Sequence, residues 1–561
     1  MGLHPRRERA DPGRRAGAVR PLPHSRDRGP PVRFPARHGA AAGSGFAWAW
    51  SRPRPPAGEL GGADFARGHR LRQGGFPPPD RVEETELVVA GGGVAGLAAG
   101  WTLAEAGYGD FRLLELEDEV GGNSRSGRNA VSAYPLGAHY LPVANREARA
   151  LIHMLRRLGM IVGDKDGAPR YDPYQLCSDL QERLLWQGRW QEGLIPRTGL
   201  SDEDEHDLAA FDRAMADYSA RVGRDGKPAF ALPIAYSSQD SDLLALDRVG
   251  FGAWLDAQGW RSPVLRAHLR YCIRDDYGCE PDQVSAWAGI HYFAGRRGWA
   301  ADGAGDNLLT WPEGNDRLVR MMAGRFADRV GTGRIVHRVA RDGDHVLVDS
   351  FDAGAGRTLR TRARAAILAM PHFIAERIAP DQVTAGPAFT YAPWLVANVT
   401  LDRPPQGRGA ALAWDNVSST SDSLGYVVAT HQGPAAVASG TVLTWYLPLS
   451  TMAPADGRRL LLERPVEQWQ AQVAEELLEM HPELDGAIRR IDIWRWAHAM
   501  VRPVPGLIWG AAREAAAVEP PLFLAHSDLS GLSLFEEAHY RGTAAAEAAM
   551  RHLGHAHESL L

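Results

Sequence analysis

Residues 85–123 read TELVVAGGGVAGLAAGWTLAEAGYGDFRLLELEDEVGGN, and the rest of the chain can be placed around them. Residues 87–90 form an apolar run of a length that suits a strand buried on both faces. Gly91, Gly93 and Gly96 then supply G-x-G-x-x-G where a helix begins. The first glycine permits a tight turn, the second lets a pyrophosphate approach the backbone, and the third allows the helix to pack close on the strand. The amides of the helix start then face the anion. Residues 94–106 are small or apolar, as in a helix lying on a sheet, and a second strand is expected over 111–114. That strand runs into Glu115, 19 residues beyond Gly96, placed to accept hydrogen bonds from a ribose diol. A glycine triplet alone reads as a turn that binds nothing. Strand, glycines, helix, strand and acid in this order point to a dinucleotide.

At 561 residues the chain is long enough for two or three domains, and its 44% hydrophobic content is ordinary for a soluble globular protein. A formal net charge of −5 gives no basic footprint for nucleic acid. Cys177, Cys272 and Cys279 show neither C-x-x-C nor metal-ligand spacing, so neither a disulfide framework nor a metal centre is expected. No run approaches the ~18 to 20 uninterrupted apolar residues that a transmembrane helix needs, and a cytoplasmic location is expected. Two Arg pairs, Arg6-Arg7 and Arg14-Arg15, invite the alternative of twin-arginine export, with residues 38–50 as the nearest apolar region.

Residues 1–80 are rich in Arg, Pro and Gly and lack hydrophobic periodicity. They are read as a disordered extension whose removal before about Pro79 leaves the folded body and its cofactor intact. Residues 145–300 have mainly helical periodicity, with Trp186, Trp190, Trp254, Trp260, Trp287 and Trp299 among many aromatics. A helix over 316–327 is followed by strands at 334–339, 345–350, 365–369, 395–401, 424–430 and 442–447. A helix over 466–480, a strand at 522–525 and an Ala-rich helix over 536–553 complete the chain.

Three separated blocks resemble the FAD-dependent amine oxidase superfamily, which includes monoamine and polyamine oxidases, protoporphyrinogen oxidase and phytoene desaturase. GGGVAGLAAG with ELEDEVGGNSRS is similar to its N-terminal dinucleotide fingerprint and following Gly-Gly turn. Residues 334–339 with AAILAMP are similar to its middle FAD segment, and FLAHSDLSGLSLFEEAHYRGTAAAEAA to its C-terminal flavin segment. The resemblance implies an α/β fold. A Rossmann-like FAD-binding domain would be assembled from three chain segments, 81–141, 305–375 and 505–561. Inserted between them would be a mixed-sheet plus helical substrate domain, helical over 142–304 and mixed-sheet over 376–504. It implies cofactor contacts at Gly91, Gly93, Gly96, Glu115, Gly121, Gly122, Val336, Asp528, Gly531 and Ser533. The C-terminal block departs from the family's Ala-Gly-Asp, reading Ala525-His526-Ser527-Asp528, and Glu537 is an insecure match. Relatives that attach flavin through cysteine use one near that block, whereas the last cysteine here is Cys279, which implies non-covalent FAD.

The implied chemistry is transfer of a hydride equivalent from a small or medium organic substrate, an amine among the candidates, to flavin, with O2 or another oxidant as electron acceptor. His139, Tyr140 and His498 are the candidate catalytic residues, with Tyr134 beside the first two; a histidine satisfied by packing is the bland alternative. Residues 311–315 occupy the place of a family turn near the ring. Residues 274–277, 287–292 and 494–498 mix polar and aromatic groups that build either a pocket or an ordinary core stripe. Many amine oxidases place a lysine near the flavin, and neither Lys165 nor Lys227 lies in a matching segment. Two alternatives stay open: a desaturase or isomerase of a carotenoid- or porphyrin-like substrate, and a non-catalytic scaffold with or without flavin.

Overall fold

In the computed structural model, which describes residues 56–383, 389–432, 440–514 and 516–561, the 87–90 run is the inner end of the strand Pro79–Ala90. Its side chains alternate between two apolar clusters. Leu87 and Val89 join one with Leu97, Trp101 and Ile367, while Val88 and Ala90 join the other with Ala366, Leu368 and Ile378. That is why the run is apolar without a break: both faces of the strand are covered. The helices doing so are Val94–Glu105 on one side and His372–Ile378 on the other. The arginine pairs and residues 38–50 lie outside the described residues.

This first sheet draws on three distant parts of the sequence. Its spatial order is Val330–Gly331, Phe111–Leu114, Pro79–Ala90, Arg357–Leu368, His345–Asp352 and Arg334–Asp342, with Leu522–Leu524 alongside Arg357–Leu368. Pro79–Ala90 runs parallel to both of its neighbours, while the last three strands form an antiparallel meander. The Ala-rich C-terminal helix Phe535–His552 crosses Val94–Glu105 closely: a Cβ on Gly542 would lie 2.1 Å from the Ala95 carbonyl oxygen. Small residues at this crossing set how near the start of that helix comes to the glycine turn.

A second, eight-stranded sheet runs Leu60–Gly62, Ile488–Val501, Tyr391–Leu401, Thr441–Pro448, Tyr426–Val428, Asp415–Ser418, Glu182–Trp186 and Arg189–Glu192. One face carries Leu395, Ala397, Leu443 and Trp445 and packs against the helix Val466–Met480. The other carries Trp394, Val396, Tyr446 and Trp496. Period-2 alternation separates the two sets. The helices Asp202–Ala220, Pro263–Tyr277 and Ala286–Ala294 surround a third cluster that includes Trp254, Trp260 and Trp287. Ser201 and Asp204 close a capping box on the first of these, and Gly278 at φ 62 ends the second.

Two expectations need correction. Residues 145–300 are not mainly helical throughout, because 182–192 fold as a hairpin at the edge of the second sheet. The turn residues Gln187 and Gly188, at φ 50 and 77, are the local cause. Likewise, residues 56–80 are not a disordered tail. Leu60–Gly62 pairs with Ile488–Val501, Phe65–Gln73 is a helix, and the strand of the fingerprint already begins at Pro79. Sparse apolar residues misled that reading: this segment is held largely by backbone pairing and ion pairs.

Candidate functional site

The glycine turn follows from its geometry. Gly91 has φ 108, and a Cβ there would lie 2.3 Å from the Ala369 carbonyl oxygen on the neighbouring strand end. A Cβ on Gly96 would lie 1.9 Å from the Gly91 carbonyl oxygen, so the helix is pressed onto its own turn. Gly93 differs from both. As the residue preceding the helix it would meet nothing within 4 Å with a Cβ, and it faces an open cavity of about 370 Å³.

Gly91, Gly93, Glu115, Gly121, Gly122, Val336, Asp528 and Ser533 all line that cavity. Gly96 and Gly531 do not. Gly96 supports the turn from below, and Gly531, at φ 76, donates its amide to Ser527 and Asp528, closing the short turn that presents Asp528. The Glu115 carboxylate accepts from the Gly92 amide at 2.6 Å and the Glu117 amide at 2.8 Å. Burial raises its carboxyl above the usual range, against the lowering effect of the two amides. Asp528 is also buried, which would raise it. Contact with His526, the Tyr391 hydroxyl at 2.5 Å and the His372 amide at 2.9 Å outweighs burial and holds it low.

Arg334 stands in the wall with Nη2 on the Ser350 hydroxyl and Nε without a partner among the described residues. An unobstructed helix start, a buried acid beside the turn, an unused donor and the apolar walls of Val336 and Ile374 together fit an adenine dinucleotide.

A second chamber of about 150 Å³ adjoins the first, and Asn123, Ala138, Trp496, Ala499, Ser533 and Phe535 belong to both walls. His139 and Tyr140 line it. The His139 ring stacks on Tyr446 with centroids 4.6 Å apart, and burial pushes its pKa down to about 4, leaving it neutral. The Tyr446 hydroxyl donates to the Gly137 carbonyl at 3.0 Å, which fixes the stack. Trp394 and Trp496 extend the aromatic wall from neighbouring strands, where they lie directly opposite each other.

The polar wall comes from elsewhere. Asp275 and Asp276 sit near the end of the helix Pro263–Tyr277, Arg296 follows Ala286–Ala294, and Glu536 opens the C-terminal helix. Arg296 Nη2 donates to both Asp276 oxygens at 2.8 Å. Burial pushes Asp275 up to about 6 and Glu536 up to about 7. Nearby, Asp415 is raised well above its usual range by burial and then by Glu182 and Asp275, while its Oδ2 accepts from Tyr271 at 2.9 Å.

Other candidates fall away from the chamber. His498 lines the larger cavity instead, with its ring 4.8 Å from that of Phe373, and burial lowers it to about 4. Of residues 311–315 only Asn315 reaches the chamber; Trp311 Nε1 turns to Gln175. Arg274 points to Ser450, residues 287–292 fill the helical core, and Tyr134 lines neither space. Glu537 accepts from the Ile234 amide at 2.7 Å, away from both cavities. No lysine or cysteine lines either cavity among the described residues. Sequence reasoning missed Arg296, Trp394, Tyr446 and Glu536 as site residues. Alternation along their strands could have signalled Trp394 and Tyr446, and no local pattern signals Arg296.

The family model for flavin containing amine oxidoreductase matches residues 94–550. No curated protein matches the chain. Among solved structures, putrescine oxidase bound to putrescine is similar at 16% identity and TM-score 0.61, over 84% of this chain and 100% of that one. Cyclohexylamine oxidase from Brevibacterium oxydans IH-35A is similar at 16% identity and TM-score 0.60, over 84% and 100%. A fatty acid isomerase from P. acnes is similar at 16% identity and TM-score 0.55, over 83% and 98%. No helix among the described residues is long and apolar enough to cross a membrane.

Proposed function

The chain belongs to the flavin-containing amine oxidoreductase family and is an FAD-dependent oxidoreductase, and from that premise we propose that it oxidises a small amine in the 150 Å³ chamber. The observation that carries this reading is the chamber's lining: three carboxyl groups, Asp275, Asp276 and Glu536, against one guanidinium, Arg296, beside the faces of Tyr446, Trp394 and Trp496. An excess of acid next to aromatic rings attracts a cation, whereas a neutral polyene gains nothing from those carboxyl groups. The similar putrescine and cyclohexylamine oxidases act on substrates of this kind.

We assign the three-segment first sheet to FAD binding, as a Rossmann-like domain. Gly91 and Gly93 leave the helix amides open to a pyrophosphate, Gly96 supports the turn, and Glu115 would accept from the ribose. Gly121, Gly122, Val336, Asp528 and Ser533 complete the wall, with Gly531 holding the Asp528 turn. The cofactor supplies the acceptor for a hydride equivalent, and O2 or another oxidant takes the electrons onward.

The chain's own groups bind the substrate and manage its proton. An alkylammonium has a pKa near that of lysine, about 10.4, so the amine arrives charged and must lose a proton to become reactive. Asp276 is committed to Arg296. Glu536, raised to about 7 chiefly by burial, takes the proton on its carboxylate at neutral pH. His139 stays neutral and holds Tyr446 in place by stacking.

Anaerobic mixing of the oxidised protein with panels of amines, fatty acids, porphyrinogens and carotenoids, followed by flavin bleaching, tests the proposal. Rapid bleaching by amines is expected. Bleaching by a polyene, porphyrinogen or fatty acid with none by any amine overturns it, and no bleaching by any compound favours a scaffold.

A further inference from the structure

The segment before the fingerprint strand reaches across both sheets. Leu60, Gly61 and Gly62 pair in parallel with Ile493, Trp494 and Arg495, and the Ile491 and Ile493 amides donate to the Ala57 and Glu59 carbonyls at 2.8 Å. A Cβ on Gly61 would lie 2.4 Å from the Trp494 ring, so a larger residue prevents this approach. The chain then enters the helix Phe65–Gln73, capped by the Asp64 side chain on the Arg67 amide at 2.9 Å.

That helix is clamped to the loop that leaves Glu115. Arg67 Nη1 donates to the Leu116 carbonyl at 3.0 Å and to Asp118 at 2.8 Å, and the Asp64 amide donates to Glu117 at 2.8 Å. On its other side Leu71 packs with Ile374 against the apolar cluster under the first sheet. Ala63, Gly68 and Leu71 thereby form part of the wall of the 370 Å³ cavity, beside Glu115, Leu116 and Glu117. The family match begins at residue 94, so this wall lies outside what the family model describes.

We propose that residues 57–73 are a cofactor-retaining strap, which completes the FAD cavity at its ribose end and must lift from the 115–118 loop before FAD can leave. The inference rests on FAD occupying that cavity. Lifting the strap breaks the Arg67 contacts, exposes Leu71 and peels a three-residue strand from the second sheet. Asp118 is 79% exposed, so its pair with Arg67 is weak and screened by salt. Release should therefore quicken as ionic strength rises.

The full-length holoprotein, and its Gly61→Leu and Arg67→Ala variants, can be followed by the rise in fluorescence as FAD dissociates on dilution. Each variant is expected to release FAD roughly three- to tenfold faster, Arg67→Ala through loss of the half-buried hydrogen bond to the Leu116 carbonyl rather than the exposed pair with Asp118, and Gly61→Leu through its clash with Trp494. Tryptic cleavage after Arg67, Arg70 and Arg72 in the wild-type chain should be slower with FAD bound than without. Variants that fold and release FAD at the wild-type rate overturn the proposal. If the variants do not fold, equal cleavage of the wild-type strap with and without FAD overturns it. Wild-type protein that binds no FAD at all would refute the cofactor assignment instead.

Discussion

Replacing Glu115 separates two roles that its position combines. The carboxylate is 9% exposed and accepts from the Gly92 and Glu117 amides, one on the glycine turn and the other in the loop under the strap. Glu115→Ala removes both acceptors and leaves two amides in a buried place. Each hydrogen bond to a charged group contributes about 1.5 to 3 kcal/mol. The glycine turn therefore loosens before any cofactor binds. If Glu115 is the ribose acceptor, as proposed, its loss should also weaken FAD binding by about 1 to 3 kcal/mol, or roughly 5- to 150-fold. Glu115→Gln keeps one carbonyl acceptor but turns an NH2 donor towards one of the two amides, so it should fall between wild type and alanine in both respects. Titration of apoprotein with FAD by flavin fluorescence quenching measures the affinity, and melting of the apoprotein measures the turn. An alanine variant that binds FAD within about twofold of wild type would show that the acid faces no ribose, since even the weakest hydrogen bond to a charged group exceeds that difference. Weakened binding with unchanged apoprotein melting would show that the two amide contacts contribute nothing to the turn.

The pH profile tests the assigned base. Burial raises Glu536 to about 7, and the reaction needs its deprotonated form, so the rate of flavin reduction by an amine should rise as pH increases through about 7. Glu536→Gln should remove that limb; a profile unchanged by the substitution places the base elsewhere. Attachment of the cofactor is checked by acid precipitation, which should leave FAD in the supernatant, because Cys177, Cys272 and Cys279 are buried away from both cavities. Flavin remaining on the precipitated chain would contradict this.

The features legible in the sequence are those whose causes lie within a few residues. Gly91 and Gly96 must be glycine because of contacts inside one turn and one neighbouring strand end, and Gly93 between them faces the open cavity, so their spacing is visible without the fold. The unbroken apolar run at 87–90 likewise announces a strand covered on both faces. The hairpin at 182–192 was lost because its tryptophans suit a helix stripe as well as a strand, and Gln187-Gly188 is a weaker turn signal than Asn-Gly. The strap was lost because backbone pairing and arginine contacts leave no hydrophobic period to read.

Thus the sequence alone determined the glycine turn, the acid that follows it and the existence of a sheet assembled around them. The chamber was decided by the tertiary structure. Tyr140, Asp276, Arg296, Tyr446 and Glu536 come from five separate parts of the chain. Strand alternation puts Tyr446 on one of two faces, but only the pairing of Trp394 with Trp496 and Val396 with Tyr446 aligns the aromatic wall. The close crossing at Gly542 then brings Glu536 to that wall. Asp275 and Glu536 acquire their raised pKa values from burial, which no local pattern encodes.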